Sequence, residues 1–324
     1  MVTPSSGKLA QAAPVQKMAQ VNGTAQLVHL WLMANNKASQ TQKQYESSIR
    51  HFIAWLAGQD PHQTQLNDVD LRTLTLNDVL DYSQYLDILG LKPRSRSAKL
   101  AAVKSLLRFG NEVGWLQFNV GKNLALPEIK QDLSERILSE LEVMKMIALT
   151  PPGRDLLLLK FLYYTGARVG EVGVVTTTLD GRKVQTAGLR WRDVKLGHDG
   201  NGKVTLFGKG GKTRTVLIPA QFYQELLSGR VDENQQRAVF PSRKGQEPLN
   251  VRQIQRIVKI AAQRAGLNEK ASTHWLRHAH ATHALNRGAA PQLVQVGLGH
   301  ASLETTTKYA HANPSDSSGL YLPR

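Results

Sequence analysis

The chain has 324 residues, with 41 lysines and arginines against 25 aspartates and glutamates, and a formal net charge of +16. This length predicts two domains. The positive charge suits a nucleic-acid partner, with a merely solubilising surface as the alternative. Because the chain has no cysteine, disulfides and thiolate zinc sites are excluded.

Residues 1–24 are interpreted as a mobile tail. Lys8 and Lys17 lie there among Ala, Gln, Ser and Pro, without the apolar core of a signal peptide. No apolar run is long enough to span a bilayer, since Lys160 interrupts even residues 156–159. We therefore expect a cytoplasmic protein with no membrane partner.

Residues 25–116 predict a small all-helical domain. A helix is predicted to begin near Ser39, which is interpreted as its N-cap, and its apolar residues recur at helical spacing. The helical pattern continues over residues 76–89, with Asn77 interpreted as the cap, and over residues 98–113. The repeating apolar residues of the first helix are Tyr45, Ile49, Phe52, Ile53 and Leu56.

Basic residues gather before and within the last of these helices. Such side chains suit the phosphates of a nucleic-acid backbone, which position a protein without reading base sequence. A solvated helix end is the alternative for any one of them. The candidates are Arg94, Arg96, Lys99 and Lys104.

A linker is predicted at 117–135, where polarity rises and no hydrophobic periodicity persists.

The second domain, 136–312, carries most of the excess positive charge. Residues 134–324 hold 27 basic and 15 acidic side chains, whereas residues 25–118 hold 10 and 8. We therefore expect the second domain to provide most of the attraction for phosphates.

The second domain begins with an apolar helical segment, 156–164, followed by Arg168 and Glu171. Residues 174–186 then predict a β-hairpin with a tight Asp180-Gly181 turn. Its function is unassigned, although Arg182 and Lys183 near its tip could touch DNA.

Two alternating segments, 203–207 and 213–218, predict strands joined by a turn that contains Lys209 and Lys212. Arg214 follows that turn, and Lys212 and Arg214 are candidate DNA contacts. A nucleotide-binding P-loop is rejected, because Leu206 stands where the first glycine is required and the context is strand to strand.

A set of residues suited to phosphodiester chemistry closes the domain. His274 and Arg277 lie three apart and share a helix face, while His300 and Tyr309 follow. An arginine pairs with phosphate oxygens, a histidine moves protons near neutral pH, and a tyrosine oxygen can attack phosphorus. No His-Glu-x-x-His pattern accompanies the histidines, so no metal is expected.

The segments TGARVGE, GKGGKTR, HWLRHAHATH and LGHASLETTTKYAH resemble those of the tyrosine recombinase (phage integrase) family. The resemblance implies a mainly α fold with a small β-sheet: an all-helical N-terminal DNA-clamping domain and a mixed α+β catalytic domain. It implies catalytic roles for six residues, with Glu171 orienting an arginine or a histidine, and no cofactor. The six are Arg168, Lys209, His274, Arg277, His300 and Tyr309.

The resemblance also implies the reaction. Tyr309 would form a 3′-phosphotyrosyl link, Arg168, Arg277 and His300 would hold the phosphate, Lys209 would protonate the 5′ oxygen and His274 would act as acid and base. Strand exchange through a Holliday junction implies a homotetramer on two double-stranded DNA recombination sites. Whether an accessory protein also takes part stays open. The protein would then work at the nucleoid of a bacterial cell.

Two points stay open at this level. A type IB topoisomerase-like nicking and closing enzyme and a non-catalytic DNA-binding regulator are the alternative functions. The tail 313–324 either docks onto a neighbouring protomer or folds back onto its own domain. The family usually places its Leu-x-x-x-Asp segment sooner after the first arginine, and residues 174–187 are interpreted as an insertion before Leu189.

Overall fold

The computed structural model describes residues 21–34, 39–128, 137–179, 182–197, 200–208, 211–243 and 247–299. The chain divides into two compact units, residues 1–130 and 131–324. Each has its own hydrophobic core. The division falls inside the segment where the sequence predicts a linker. Of the predicted tail 1–24, residues 1–20 lie outside the described residues, whereas Thr24 is buried and begins the first helix. The predicted tail 313–324 also lies outside the described residues.

The described part of the first unit consists of helices and connecting loops. Its core is built around large side chains with no exposed surface, among them Trp31, Phe52 and Tyr82. Burying each such side chain stabilises the unit by about 2 kcal/mol. The helices are α1 (Thr24–Ala34), α2 (Ser39–Ala57), α3 (Leu76–Ile88) and α4 (Pro93–Glu112), with a short 3₁₀ helix at Leu71–Thr73.

The helix starts differ in two places from the sequence-based expectation. Thr75, not Asn77, caps α3, because its side chain accepts the backbone N–H of Asp78 and Asp78 bonds back to Thr75. Helix α4 begins at Pro93 instead of near residue 98, since a proline at the first helical position already has a helical φ. Any N-cap role of Ser39 lies outside the described side chains.

The second unit is mixed α and β. It opens with α5 (Glu140–Ala148), α6 (Arg154–Thr165) and α7 (Val169–Val172) and closes with α8 (Ala220–Ser228), α9 (Val251–Arg264), α10 (Thr273–Asn286) and α11 (Pro291–Leu298). Between these groups lie strands β1 to β5 and a 3₁₀ helix at Trp191–Asp193. The strands are β1 (Thr176–Leu179), β2 (Arg182–Gln185), β3 (Val194–Leu196), β4 (Gly202–Phe207) and β5 (Thr213–Ile218).

Strands β3, β4 and β5 form an antiparallel sheet in that order. Val204 pairs with Val216, and these two residues, with Leu206 and Ile218, are buried in the core. The alternation of apolar and polar residues that predicted strands at 203–207 and 213–218 is therefore confirmed.

Strands β1 and β2 form the predicted hairpin. Leu179 pairs with Arg182, so the connection is the two residues Asp180 and Gly181, which lie outside the described residues. The base of the hairpin is hydrogen-bonded to the rest of the second unit. Val174 donates to the carbonyl of Leu249 at 2.9 Å and accepts from the N–H of Val251 at 3.3 Å.

Across the described ranges, no helix is both long enough and apolar enough to cross a lipid bilayer.

Candidate active site

A left-handed glycine shapes the approach to Arg168. Helix α6 ends at Thr165 and is capped by Gly166, whose φ is 55°, and the chain then turns so that Arg168 stands at the N-cap of α7. A Cβ on Gly166 would lie 2.6 Å from Leu298 Cδ2 and 2.8 Å from His280 Cδ2. Both the conformation and this close contact therefore require glycine at the turn.

Glu171 contacts Arg168 through both of its carboxylate oxygens. Its Oε2 accepts the backbone N–H of Arg168 at 2.7 Å, and its Oε1 accepts the guanidinium at 3.2 Å. The side chain of Glu171 is only 3% exposed. Burial by itself would raise the pKa of Glu171, but hydrogen bonds and positive charge from Arg214, together with Arg168, hold that pKa below its usual value.

Arg214 points inward, to a contact within the protein. Its side chain is 10% exposed, and it donates to both carboxylate oxygens of Glu171 and, through Nε, to the carbonyl of Gly297 at 2.7 Å. This placement differs from the DNA-contact role expected from the sequence. Period-two alternation could have indicated it, since Arg214 shares a strand face with the buried Val216 and Ile218.

Arg277 is buried on α10, with 4% of the residue exposed. Its Nη1 donates to the carbonyl of Gly166 at 2.5 Å, and its Nη2 donates to the carbonyl of Leu298 at 2.7 Å. Two carbonyl groups from the ends of α6 and α11 therefore fix the plane of this guanidinium.

Three arginines meet at the last turn of α11. Arg214 bonds to the carbonyl of Gly297, Arg277 to that of Leu298, and Arg168 to that of Gly299 at 3.3 Å. The carbonyl groups at a helix C-terminus lack intrahelical partners and carry partial negative charge. They therefore attract and hold the three guanidinium groups side by side.

His274 lies in the first turn of α10, close to this cluster. Desolvation lowers the pKa of His274, and the positive charges of Arg277 and Arg168 lower it further. The ring stacks on that of His278, with 6.2 Å between the centroids. A neutral imidazole beside two arginines can accept a proton close to a bound anion.

The turn that contains Lys209 begins beside Glu171. A Cβ on Gly208 would lie 3.5 Å from Glu171 Oε1, and the N–H of Gly208 donates to the carbonyl of Lys212 at 2.7 Å. The side chain of Lys212 is exposed. Lys209, His300 and Tyr309 lie outside the described residues.

The predicted basic contacts of the first unit differ in their surroundings. Arg94 is exposed, whereas Arg96 pairs with Asp87 and Lys104 donates to the carbonyl of Leu124 at 2.8 Å. Desolvation lowers the pKa of Lys99. Of these four cations, Arg94 is the one most accessible to a ligand.

The described residues hold no group of three or more His, Cys, Asp or Glu side chains placed to bind a metal ion. Arginine and histidine side chains dominate the site. Together they form a preorganised set of donors for an anion with two or more oxygen atoms.

Residues 129–316 match the model of the Phage integrase family. The chain is 29% identical over 318 residues to tyrosine recombinase XerD of Bifidobacterium longum, covering 91% of this chain and 94% of that protein. It is 31% identical over 291 residues to tyrosine recombinase XerC of Pelobacter propionicus, covering 86% of each.

Two solved structures are similar in fold. The XerH site-specific recombinase bound to palindromic difH substrate aligns with a TM-score of 0.63 and 22% identity, over 90% of this chain and 82% of that one. The Tn1549 transposon integrase in complex with circular intermediate DNA aligns with a TM-score of 0.67 and 16% identity, over 93% of this chain and 99% of that one.

Proposed function

This chain belongs to the phage integrase family and is a tyrosine-type site-specific recombinase, and on that basis we propose that it cuts DNA by linking Tyr309 to a 3′ phosphate. The family resemblance and the predicted fold class are confirmed. The individual residue roles described next are part of the proposal.

The convergence of Arg168, Arg277 and Arg214 on the last turn of α11 is the observation that carries this proposal. In the described structure Arg214 donates to both carboxylate oxygens of Glu171. We therefore assign the scissile phosphate to the other two arginines, Arg168 and Arg277. Donors preorganised in this way stabilise developing negative charge by about 3 kcal/mol each, by analogy with oxyanion holes.

In the proposed cleavage step, the phenol oxygen of Tyr309 attacks phosphorus while His274 accepts its proton. The bond from phosphorus to the 5′ oxygen breaks, and Lys209 supplies the proton to that oxygen, with Lys212 as a second candidate. Arg168, Arg277 and His300 hold the non-bridging oxygens. The lowered pKa of His274 keeps its imidazole neutral and able to take the proton.

The covalent link conserves the free energy of the phosphodiester, so a 5′ hydroxyl of another strand can reseal it without ATP. Repeating the exchange between two duplexes passes through a Holliday junction and requires four protomers on two sites. The related XerH and Tn1549 enzymes were solved with DNA, and we extend a DNA partner to this chain. Its place of action is then the bacterial cytoplasm, at the nucleoid.

The two units divide this work. Residues 25–116 clamp the duplex through basic side chains such as Arg94, which is exposed, and residues 136–312 carry the chemistry. The linker 117–135 joins them, and residues 313–324 contact a neighbouring protomer.

The test is capture of DNA covalently attached to the protein under denaturing conditions, from cells that carry its natural locus. Wild type is compared with Tyr309→Phe, and the attached DNA is sequenced. We expect adducts with wild type alone, at a defined site. If both proteins bind DNA from that locus but neither forms adducts, the regulator alternative replaces this proposal.

A second assay addresses the topoisomerase alternative. A supercoiled plasmid that lacks the recovered site should keep its supercoils, whereas paired sites should recombine. Relaxation of the site-free plasmid at the rate seen with the site would favour a nicking and closing enzyme.

A further inference from the structure

His280 lies on α10, one turn beyond Arg277, and its ring packs against the end of α6. Its Nδ1 is 2.7 Å from the carbonyl oxygen of Tyr163. Because a carbonyl only accepts, Nδ1 must carry the hydrogen and donate it. Burial lowers the pKa of His280, although the bond to Tyr163 opposes this effect, and Arg277 lowers it further. The ring is therefore a neutral donor.

The carbonyl of Tyr163 needs this donor. In a continuing helix it would accept from the N–H of Ala167, but that N–H donates to Thr165 Oγ1 at 3.2 Å. Helix α6 ends at Thr165, and the carbonyl groups of a last turn lack intrahelical partners. His280 therefore satisfies a carbonyl group that the end of the helix exposes.

The same ring covers Gly166. A Cβ built on Gly166 would lie 2.8 Å from Cδ2 and 3.2 Å from Cγ of His280. The carbonyl of Gly166 in turn accepts Nη1 of Arg277 at 2.5 Å. His280 thus contacts the turn on which one of the two fixed bonds of Arg277 depends.

We propose that His280 is a positioning residue for Arg277, because it holds the α6 turn whose Gly166 carbonyl orients the guanidinium. This inference rests on the proposed function, in which Arg277 holds the scissile phosphate. His280 does not touch substrate; it acts on the reaction through the backbone of residues 163–166.

His283 provides a matched control. It lies on the same helix, is buried, and its Nδ1 is 2.9 Å from the side-chain hydroxyl of Tyr163 instead of from its carbonyl. Replacing His283 by phenylalanine removes a buried histidine hydrogen bond from the same neighbour. It leaves the contact of His280 with Gly166 in place.

The test compares His280→Phe, His280→Asn and His283→Phe. Phenylalanine fills the space without a donor, whereas the side-chain amide of asparagine can place an N–H near the position of Nδ1. Three quantities are measured: the thermal midpoint, the affinity for the recombination site, and the single-turnover rate of adduct formation at saturating protein.

We expect His280→Phe to slow adduct formation by about 10- to 100-fold, the scale of a misplaced catalytic group, with site affinity nearly unchanged. His280→Asn should recover most of the rate. His283→Phe should cleave at close to the wild-type rate even if its thermal midpoint falls. A wild-type rate in His280→Phe, or an equal loss in His283→Phe, would overturn the proposal.

A measurement without cleavage separates this inference from the proposed function. The side-chain ¹⁵N resonances of Arg277, assigned by their absence in Arg277→Lys, report the guanidinium directly. They should shift in His280→Phe and stay in place in His280→Asn and His283→Phe. If wild type forms no adduct, the proposed function fails, while these resonances still decide the role of His280; unchanged resonances in His280→Phe would refute it.

Discussion

Arg214 donates to both carboxylate oxygens of Glu171, with 2.8 Å between Nη2 and Oε2. Glu171 also accepts the backbone N–H of Arg168 at 2.7 Å. A strand residue thereby braces the helix N-terminus that presents Arg168. The position of Arg168 therefore depends on Arg214, which comes from a distant part of the chain. The buried carboxylate of Glu171 connects the two arginines through hydrogen bonds.

Replacing Glu171 by glutamine should destabilise the second unit by about 3 kcal/mol, because removing one charge of a buried pair leaves the other uncompensated. Adduct formation should also slow, since Arg168 loses its orienting partner. Urea unfolding and the single-turnover rate measure the two effects. Glu140→Gln, which removes an exposed pair with Arg287, is the control and should leave both nearly unchanged. Equal losses of stability in the two variants would contradict the interpretation that burial makes the Glu171 pair important for folding.

Replacing Gly166 by alanine should abolish most adduct formation. The added Cβ would lie 2.6 Å from Leu298 Cδ2, and the left-handed φ costs a further ~1 kcal/mol. Gly288→Ala is the matched control, since Gly288 also has a positive φ, 86°, but open space around it. Thermal unfolding and cleavage assays on both variants separate backbone strain from the steric effect. We expect Gly288→Ala to cleave normally.

The free energy of unfolding should fall as pH drops below about 6.5, the usual pKa of a histidine. Burial lowers the pKa of His280 and of His283 in the folded protein. The unfolded chain therefore binds more protons between that lowered pKa and 6.5, which favours unfolding on acidification. Urea titrations from pH 8 to 5, in wild type and His283→Phe, check this. The free energy of unfolding should depend less steeply on pH in the variant than in wild type. An equal slope in the two proteins would show that His283 does not contribute to the pH dependence.

Deleting residues 176–185 and closing the gap with glycines should leave the second unit folded. The described side chains of this hairpin, such as Val184, are exposed, and the bonds of Val174 to Leu249 and Val251 lie outside the deletion. The thermal midpoint should change little, and adduct formation should persist. A deletion that also removes Val174 is the comparison and should be less stable. A large loss of stability in the shorter deletion would show that the hairpin contributes to the fold.

Local patterns determined much of this protein before any tertiary contact was known. Helical periodicity located α2 and α6, alternation located β4 and β5, and the Asp180-Gly181 pair predicted the hairpin, because each depends on residues close in sequence. Two local details were nevertheless wrong. The cap of α3 is Thr75, although its Thr-x-x-Asp pattern was visible in the sequence, and α4 begins at Pro93.

The motifs also predicted Arg168, Glu171, His274 and Arg277 as members of a single site, but the tertiary structure decided how these side chains are held. Arg214 turns to Glu171, and the carbonyl groups of residues 297–299 accept three arginines. His280 donates to the carbonyl of Tyr163 in the last turn of α6. These partners lie on elements far apart in sequence, so a local period can indicate that Arg214 points inward but not which groups it meets. Packing of α6, α10, α11 and β5 brings these carbonyl groups and cations together, and burial favours their pairing because a buried polar group without a partner is costly.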